Sequence, residues 1–152
     1  MKKGGVFVRA LEISVYIVKQ FNKDCQPITN LKLQKVLYYI QMGHLQEYGF
    51  PAFDDPIEAW RHGPVVYDIY SRFKRYTSMP ISMDDVYIRQ VNENLDKTCM
   101  SVCDKIIKKT LLLDPWKLVE LTHQTEAWKK NYVSGFNNLI PLWDIQESVL
   151  NL

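Results

Sequence analysis

The stretch Ile57-Glu58-Ala59-Trp60-Arg61-His62-Gly63-Pro64-Val65-Val66-Tyr67-Asp68-Ile69-Tyr70 changes its hydrophobic period in the middle, and this constrains the fold more than any other feature of the chain. Ile57, Ala59 and Arg61 alternate with Glu58, Trp60 and His62, the period of two that suits a short extended segment. Gly63 supplies a free backbone dihedral at the corner, and Pro64 suits the first position of a helix, where its missing N–H costs nothing. Val65, Val66, Ile69, Tyr70 and Phe73 follow at helical spacing, which predicts a helix over 64–76 and at most a small sheet near 57–61. The corner crowds an indole, a guanidinium, an imidazole and a carboxylate into five residues. Two readings fit: a packed corner with Trp60 in the core and solvated charges, or a recognition surface.

The flanking segments are helical. Phe7, Ala10, Leu11, Ser14, Ile17, Val18 and Phe21 form one apolar face of a helix from about Val6 to Asn22, which Lys23-Asp24-Cys25-Gln26-Pro27 breaks. Thr29 suits an N-cap and Gly49 a left-handed C-cap, framing a helix over Asn30–Tyr48. Leu33, Val36, Leu37, Ile40 and Tyr48 mark its inner face, and Lys32, Gln34, Lys35, Gln41 and Gln46 are expected on its outer face. A helix over Asn92–Lys109 carries Leu95, Cys99, Val102, Cys103, Ile106 and Ile107 on one stripe. Asp114-Pro115 is a start signal for a helix over Pro115–Gln124, Asn131–Asn138 suits a loop, and Pro141 opens a last short helix. The expectation is a mainly α, multi-helix fold with one core, a single domain over residues 1–152.

Composition narrows the function classes. The 152 residues are 47% hydrophobic and 24% charged, a globular balance. A formal net charge of +2 is weak for a dedicated nucleic-acid binder. No apolar run approaches the ~20 residues that span a bilayer, and Arg9 and Glu12 interrupt any leader pattern after Met1-Lys2-Lys3. Three cysteines, Cys25, Cys99 and Cys103, suit a reducing cytoplasm better than a disulfide framework. Cys99 and Cys103 share a helical face, but no second Cys or His pair completes a zinc set, so no metal and no cofactor is expected. His44, His62 and His123 sit on different predicted elements, and their spacing supports no acid–base or Cys–His site.

Three segments carry a resemblance. Ile28-Thr29-Asn30-Leu31-Lys32-Leu33-Gln34-Lys35-Val36-Leu37-Tyr38-Tyr39 is similar to "T-x-x-K-L-Q-K-L-L-Y-Y"; Phe53 through Val66 is similar to "F-x-(D/E)-x-x-E-A-W-x-x-G-P-V"; Leu118 through Trp128 is similar to "L-x-x-L-T-H-x-x-x-P-W". In order and spacing these resemble the Panacea, or SocA-like antitoxin, domain of bacterial and phage proteins. Ala127 departs from the pattern, which has proline before the tryptophan, and Met79–Lys97 matches no motif. The resemblance implies a compact helical domain that neutralises a protein toxin by direct contact, with delivery to an ATP-dependent protease as one family mode. It supplies no catalytic residue. Gln34, Lys35, Tyr38, Tyr39, Glu58, Trp60, Gly63, Pro64, His123 and Trp128 match its motifs and serve either fold or binding.

Two functions stay open on these grounds. The first is a non-enzymatic antitoxin whose binding surface comprises Tyr38, Tyr39, Trp60, Arg61 and His62, since aromatic residues and arginine offer large contact area with polar tips. The second is a small enzyme using Glu58, His62 and His123 in a cleft. Converging side chains in a deep pocket favour the second, and an exposed aromatic patch favours the first.

Overall fold

Helix α2 (Asn30–Tyr48) is the axis of the molecule, and the other elements are laid around it. The computed structural model describes residues 10–152; Phe7 and the expected helical start at Val6 lie outside the described residues. Helix α1 (Ala10–Lys23) buries Ala10, Leu11, Ser14, Ile17, Val18 and Phe21, the face that its spacing predicts. On α2 the Thr29 hydroxyl accepts the Lys32 backbone N–H at 3.2 Å, and Gly49 ends the helix at φ 81°, so both predicted caps are present.

The outer face expected for α2 does not exist. Lys32, Gln34, Lys35 and Gln41 are buried, and of the five expected outside only Gln46 is exposed. The reason is that loops pack on this helix, and their backbone groups need partners that no sheet or helix ladder supplies. Lys32 Nζ donates to the carbonyls of Leu111 (3.1 Å) and Leu113 (2.7 Å). Gln41 accepts the Ala52 N–H at 2.8 Å and donates to the Phe53 carbonyl at 2.7 Å. Gln34 accepts the Val66 N–H at 2.9 Å. Polar residues here stitch irregular backbone to the core.

The corner is a β-hairpin. Strands β1 (Glu58–Trp60) and β2 (Gly63–Val65) pair antiparallel, with Glu58 opposite Val65, Ala59 opposite Pro64 and Trp60 opposite Gly63. Arg61 and His62 form the tip. A third strand, β3 (Asn138–Leu139), lies on the other side of β1 in the order β2-β1-β3. The expected helix start at Pro64 is therefore corrected: Pro64 is a strand residue, and helix α3 (Tyr67–Phe73) begins three residues later, followed by a 3-10 turn over Lys74–Tyr76. Gly63, at φ 104°, fits because a Cβ there would stand 2.7 Å from Thr122 Oγ1 and 2.8 Å from Lys35 Cε. Pairing with β1, and the bonds of Lys35 to the Pro64 carbonyl and of Gln34 to the Val66 N–H, hold a strand where local sequence favoured a helix.

The remaining helices close the core. Short α4 (Val86–Gln90) is capped by Asp85. Helix α5 (Lys97–Thr110) starts later than expected because the Asp96 carboxylate caps it, accepting the Cys99 N–H at 2.8 Å. Its predicted stripe of Cys99, Val102, Cys103, Ile106 and Ile107 is buried against α1 and α2. Helix α6 (Pro115–His123) follows the Asp114-Pro115 signal, and α7 (Glu126–Asn131) and α8 (Leu142–Glu147) complete the chain. No helix among the described residues is long and apolar enough to cross a membrane.

Candidate partner-binding site

The hairpin tip is held from the side by α6 and α7. The Trp128 indole N–H donates to the Trp60 carbonyl at 2.8 Å, and His123 Nε2 lies 2.9 Å from the Arg61 carbonyl, which can only accept, so this nitrogen carries the proton. His123 stacks on Trp128 with ring centroids 4.1 Å apart, and Trp128 stacks on Tyr132 at 4.6 Å. Burial holds the His123 imidazole below its ordinary pKa, and the nearby Lys35 and His62 act in the same direction, against the backbone hydrogen bond. The tip is thereby fixed without burying Arg61 and His62, which remain exposed.

From below, α2 supports the same hairpin. Lys35 is fully buried, and its ammonium donates to the Pro64 carbonyl at 3.1 Å. Among the described residues no carboxylate lies within ion-pair distance of it. Burial pushes its pKa down to about 7. Removing a cation from water without a counter-charge is costly, and such cost tends to be retained where a site needs the charge.

The outer side of the hairpin is aromatic. Glu58 accepts the Trp60 indole N–H at 2.7 Å, and Trp60 meets Tyr70 edge-to-face at 4.9 Å. Tyr67 lies 6.1 Å from Trp60 and is 52% exposed. His62 packs edge-on against Trp116 at 5.1 Å, and Trp116 is 55% exposed. Between the tip, α2 and α3 opens a cleft of about 450 Å³.

Of the five residues expected to bind a partner, the structure brings Trp60, Arg61 and His62 together at the surface. Trp60 is half-buried and Arg61 and His62 are exposed. Tyr38 and Tyr39 are corrected: both are fully buried, because other segments pack over α2 at these positions. The Tyr38 hydroxyl pairs with that of Thr125 at 2.7 Å, and Tyr39 donates to Asn151 Oδ1 at 2.7 Å. Burial raises both phenol pKa values, that of Tyr38 to about 12. Among the motif residues, Gln34, Lys35, His123 and Trp128 all bond to backbone of the hairpin or of the residue that follows it.

Glu58, His62 and His123 lie near the same corner but form no relay. Glu58 is bonded to Trp60, His123 to the Arg61 carbonyl, and His62 rests on Trp116. His44 is elsewhere, with Nδ1 2.8 Å from the Phe50 carbonyl. No group of three potential metal ligands occurs among the described residues. Sequence reasoning missed Tyr67 and Trp116. Trp116 falls in the first turn of α6, and its place beside His62 depends on the packing of α6 against β2.

A family model described as Antitoxin SocA-like, Panacea domain, matches residues 33–129, well over half of the chain. The matched range contains the hairpin, Lys35, Trp116, His123 and Trp128. No curated protein and no solved structure matches the chain.

Proposed function

We propose, since the chain belongs to the family of SocA-like antitoxins and carries their Panacea domain, that it is a non-enzymatic antitoxin that neutralises a protein toxin by direct contact at the hairpin tip. The observation that carries this reading is the pre-set tip. Arg61 and His62 are presented on a turn whose flanking carbonyls are held by His123 and Trp128, beside exposed Tyr67 and Trp116. Arginine and large aromatic residues dominate binding energetics, and a surface already ordered before contact loses little entropy on association. The engagement of Glu58, His62 and His123 in separate contacts favours binding over acid–base chemistry.

The test is rescue of growth by this chain against the toxin-like product of an adjacent reading frame. Arg61→Ala and Trp116→Ala both act on exposed side chains, so the fold should survive, as circular dichroism and melting will show. Each is expected to weaken binding by on the order of 2 kcal/mol, about thirtyfold. Folded variants that rescue like wild type would refute this surface. Toxin half-life separates two mechanisms: direct neutralisation leaves it unchanged, and delivery to an ATP-dependent protease shortens it.

A further inference from the structure

The cleft beside the hairpin has an unusual charge balance. It is lined by Lys35, Arg61, His62 and Lys74, while no aspartate or glutamate lines it. Among the described residues neither Arg61 nor Lys74 has a carboxylate within ion-pair distance, in contrast to Arg72 and Arg75 nearby, which pair with Asp68 and Asp85. The first turn of the 19-residue helix α2 also faces the cleft through Asn30 and Leu31, adding the positive end of its macrodipole.

Among the described residues the side-chain amides of the lining are already bonded, the Thr77 hydroxyl donates to the Tyr76 carbonyl, and the Tyr70 hydroxyl has no partner. Asn30 Oδ1 accepts from Gln34 at 2.9 Å, Gln34 Oε1 accepts the Val66 N–H at 2.9 Å, and Asn30 Nδ2 donates to the Tyr70 carbonyl at 3.1 Å. The Trp60 indole N–H is taken by Glu58. The charged groups left to meet a ligand, Arg61 and Lys74, are cationic donors. The rest of the wall is apolar or aromatic: Leu31, Val65, Trp60 and Tyr70.

We propose that this cleft receives an acidic side chain of the partner together with an adjacent aliphatic or aromatic one. The carboxylate meets Arg61, Lys74 and His62 at the rim, with Lys35 beneath, and the apolar neighbour lies on Leu31, Val65 and the Trp60–Tyr70 pair. A volume of about 450 Å³ accommodates a short peptide segment of this kind. A nucleotide fits less well, because the amide oxygens that would meet the N–H edge of a base are buried and bonded within the protein. The inference rests on the hairpin being the toxin-facing surface and adds the chemistry that it selects.

The experiment uses the full chain labelled with nitrogen-15 and two peptides, Ac-Leu-Asp-Leu-Glu-NH2 and its neutral counterpart Ac-Leu-Asn-Leu-Gln-NH2, with inorganic phosphate and AMP as further arms. The acidic peptide is expected to shift the Trp60 indole and Gln34 side-chain signals and to bind at least about tenfold more tightly than the neutral one, with added salt weakening it. An Arg61→Glu/Lys74→Glu double variant, unchanged in melting temperature, should lose that preference. Equal binding of both peptides, binding of neither, or binding of AMP or phosphate in their place overturns the proposal. The two readings fail separately. A double variant that loses the acidic peptide yet still rescues cells removes the toxin contact from this face and leaves the carboxylate site standing. Loss of rescue by Arg61→Ala without peptide selectivity does the reverse.

Discussion

Replacing Lys35 with methionine should stabilise the protein, and by an amount that depends on pH. Lys35 is fully buried without a counter-charge, and its pKa is held at about 7 against 10.5 for the free side chain. Between these values the folded protein binds fewer protons than the unfolded chain, so the lysine makes stability rise with pH. While one proton separates the two states, the slope is about 1.4 kcal/mol per pH unit, and the full cost on the acid side is on the order of 4–5 kcal/mol. Methionine keeps an unbranched chain of similar length and abandons the hydrogen bond to the Pro64 carbonyl, a loss of about 1 kcal/mol. Lys35→Met should therefore be the more stable protein at pH 6.5, by on the order of 3–4 kcal/mol. That advantage should shrink by about 1.4 kcal/mol per pH unit between pH 7.5 and 9.5. Urea unfolding of both proteins across this range measures the difference, and groups that titrate alike in both cancel. A difference that stays constant with pH would refute the reasoning, because it would mean that Lys35 keeps an ordinary pKa in the fold.

Gly63→Ala should destabilise by more than about 2 kcal/mol in thermal melting, since φ is 104° and the new Cβ would meet Thr122 Oγ1 at 2.7 Å. Trp128→Phe keeps a ring for the stack on His123 and Tyr132 but removes the N–H bonded to Trp60, so it should cost about 1 kcal/mol and speed amide exchange at the hairpin tip. Burial lowers the His123 pKa from 6.5, so the folded state resists protonation and stability falls as pH drops from 6.5 through the folded value. His123→Gln, which keeps a donor for Arg61 and cannot titrate, should flatten that part of the stability–pH profile.

Much of the fold was legible because local signals and tertiary packing agree. Thr29 and Gly49 cap α2, Asp114-Pro115 starts α6, and the stripes of α1 and α5 face the core that their spacing implies. The hairpin was half legible. Glu58–Trp60 is extended, as its alternation indicates, but Gly63-Pro64 serves a helix start and a strand equally well by local criteria. The strand pairs with Glu58–Trp60, its Pro64 carbonyl and the following Val66 N–H are taken by Lys35 and Gln34, and Lys35 and Thr122 leave no room for a side chain at Gly63. The outer face of α2 was misread for a related reason: polar residues along a helix indicate solvent only when no loop crosses them. Here Lys32, Gln34, Lys35 and Gln41 each bond to the backbone of a segment outside α2.

The same physics bears on whether the shared motif residues serve fold or recognition. Gln34 and Lys35 bind the Val66 N–H and Pro64 carbonyl from below, while His123 and Trp128 bind the Arg61 and Trp60 carbonyls from the side. These four come from three helices and converge on backbone within seven residues, Trp60 to Val66. Side chains that grip backbone are insensitive to what their neighbours' side chains are, so this frame holds its shape whatever stands at the tip. Arg61 and His62 are therefore free to vary in chemistry at little cost in stability.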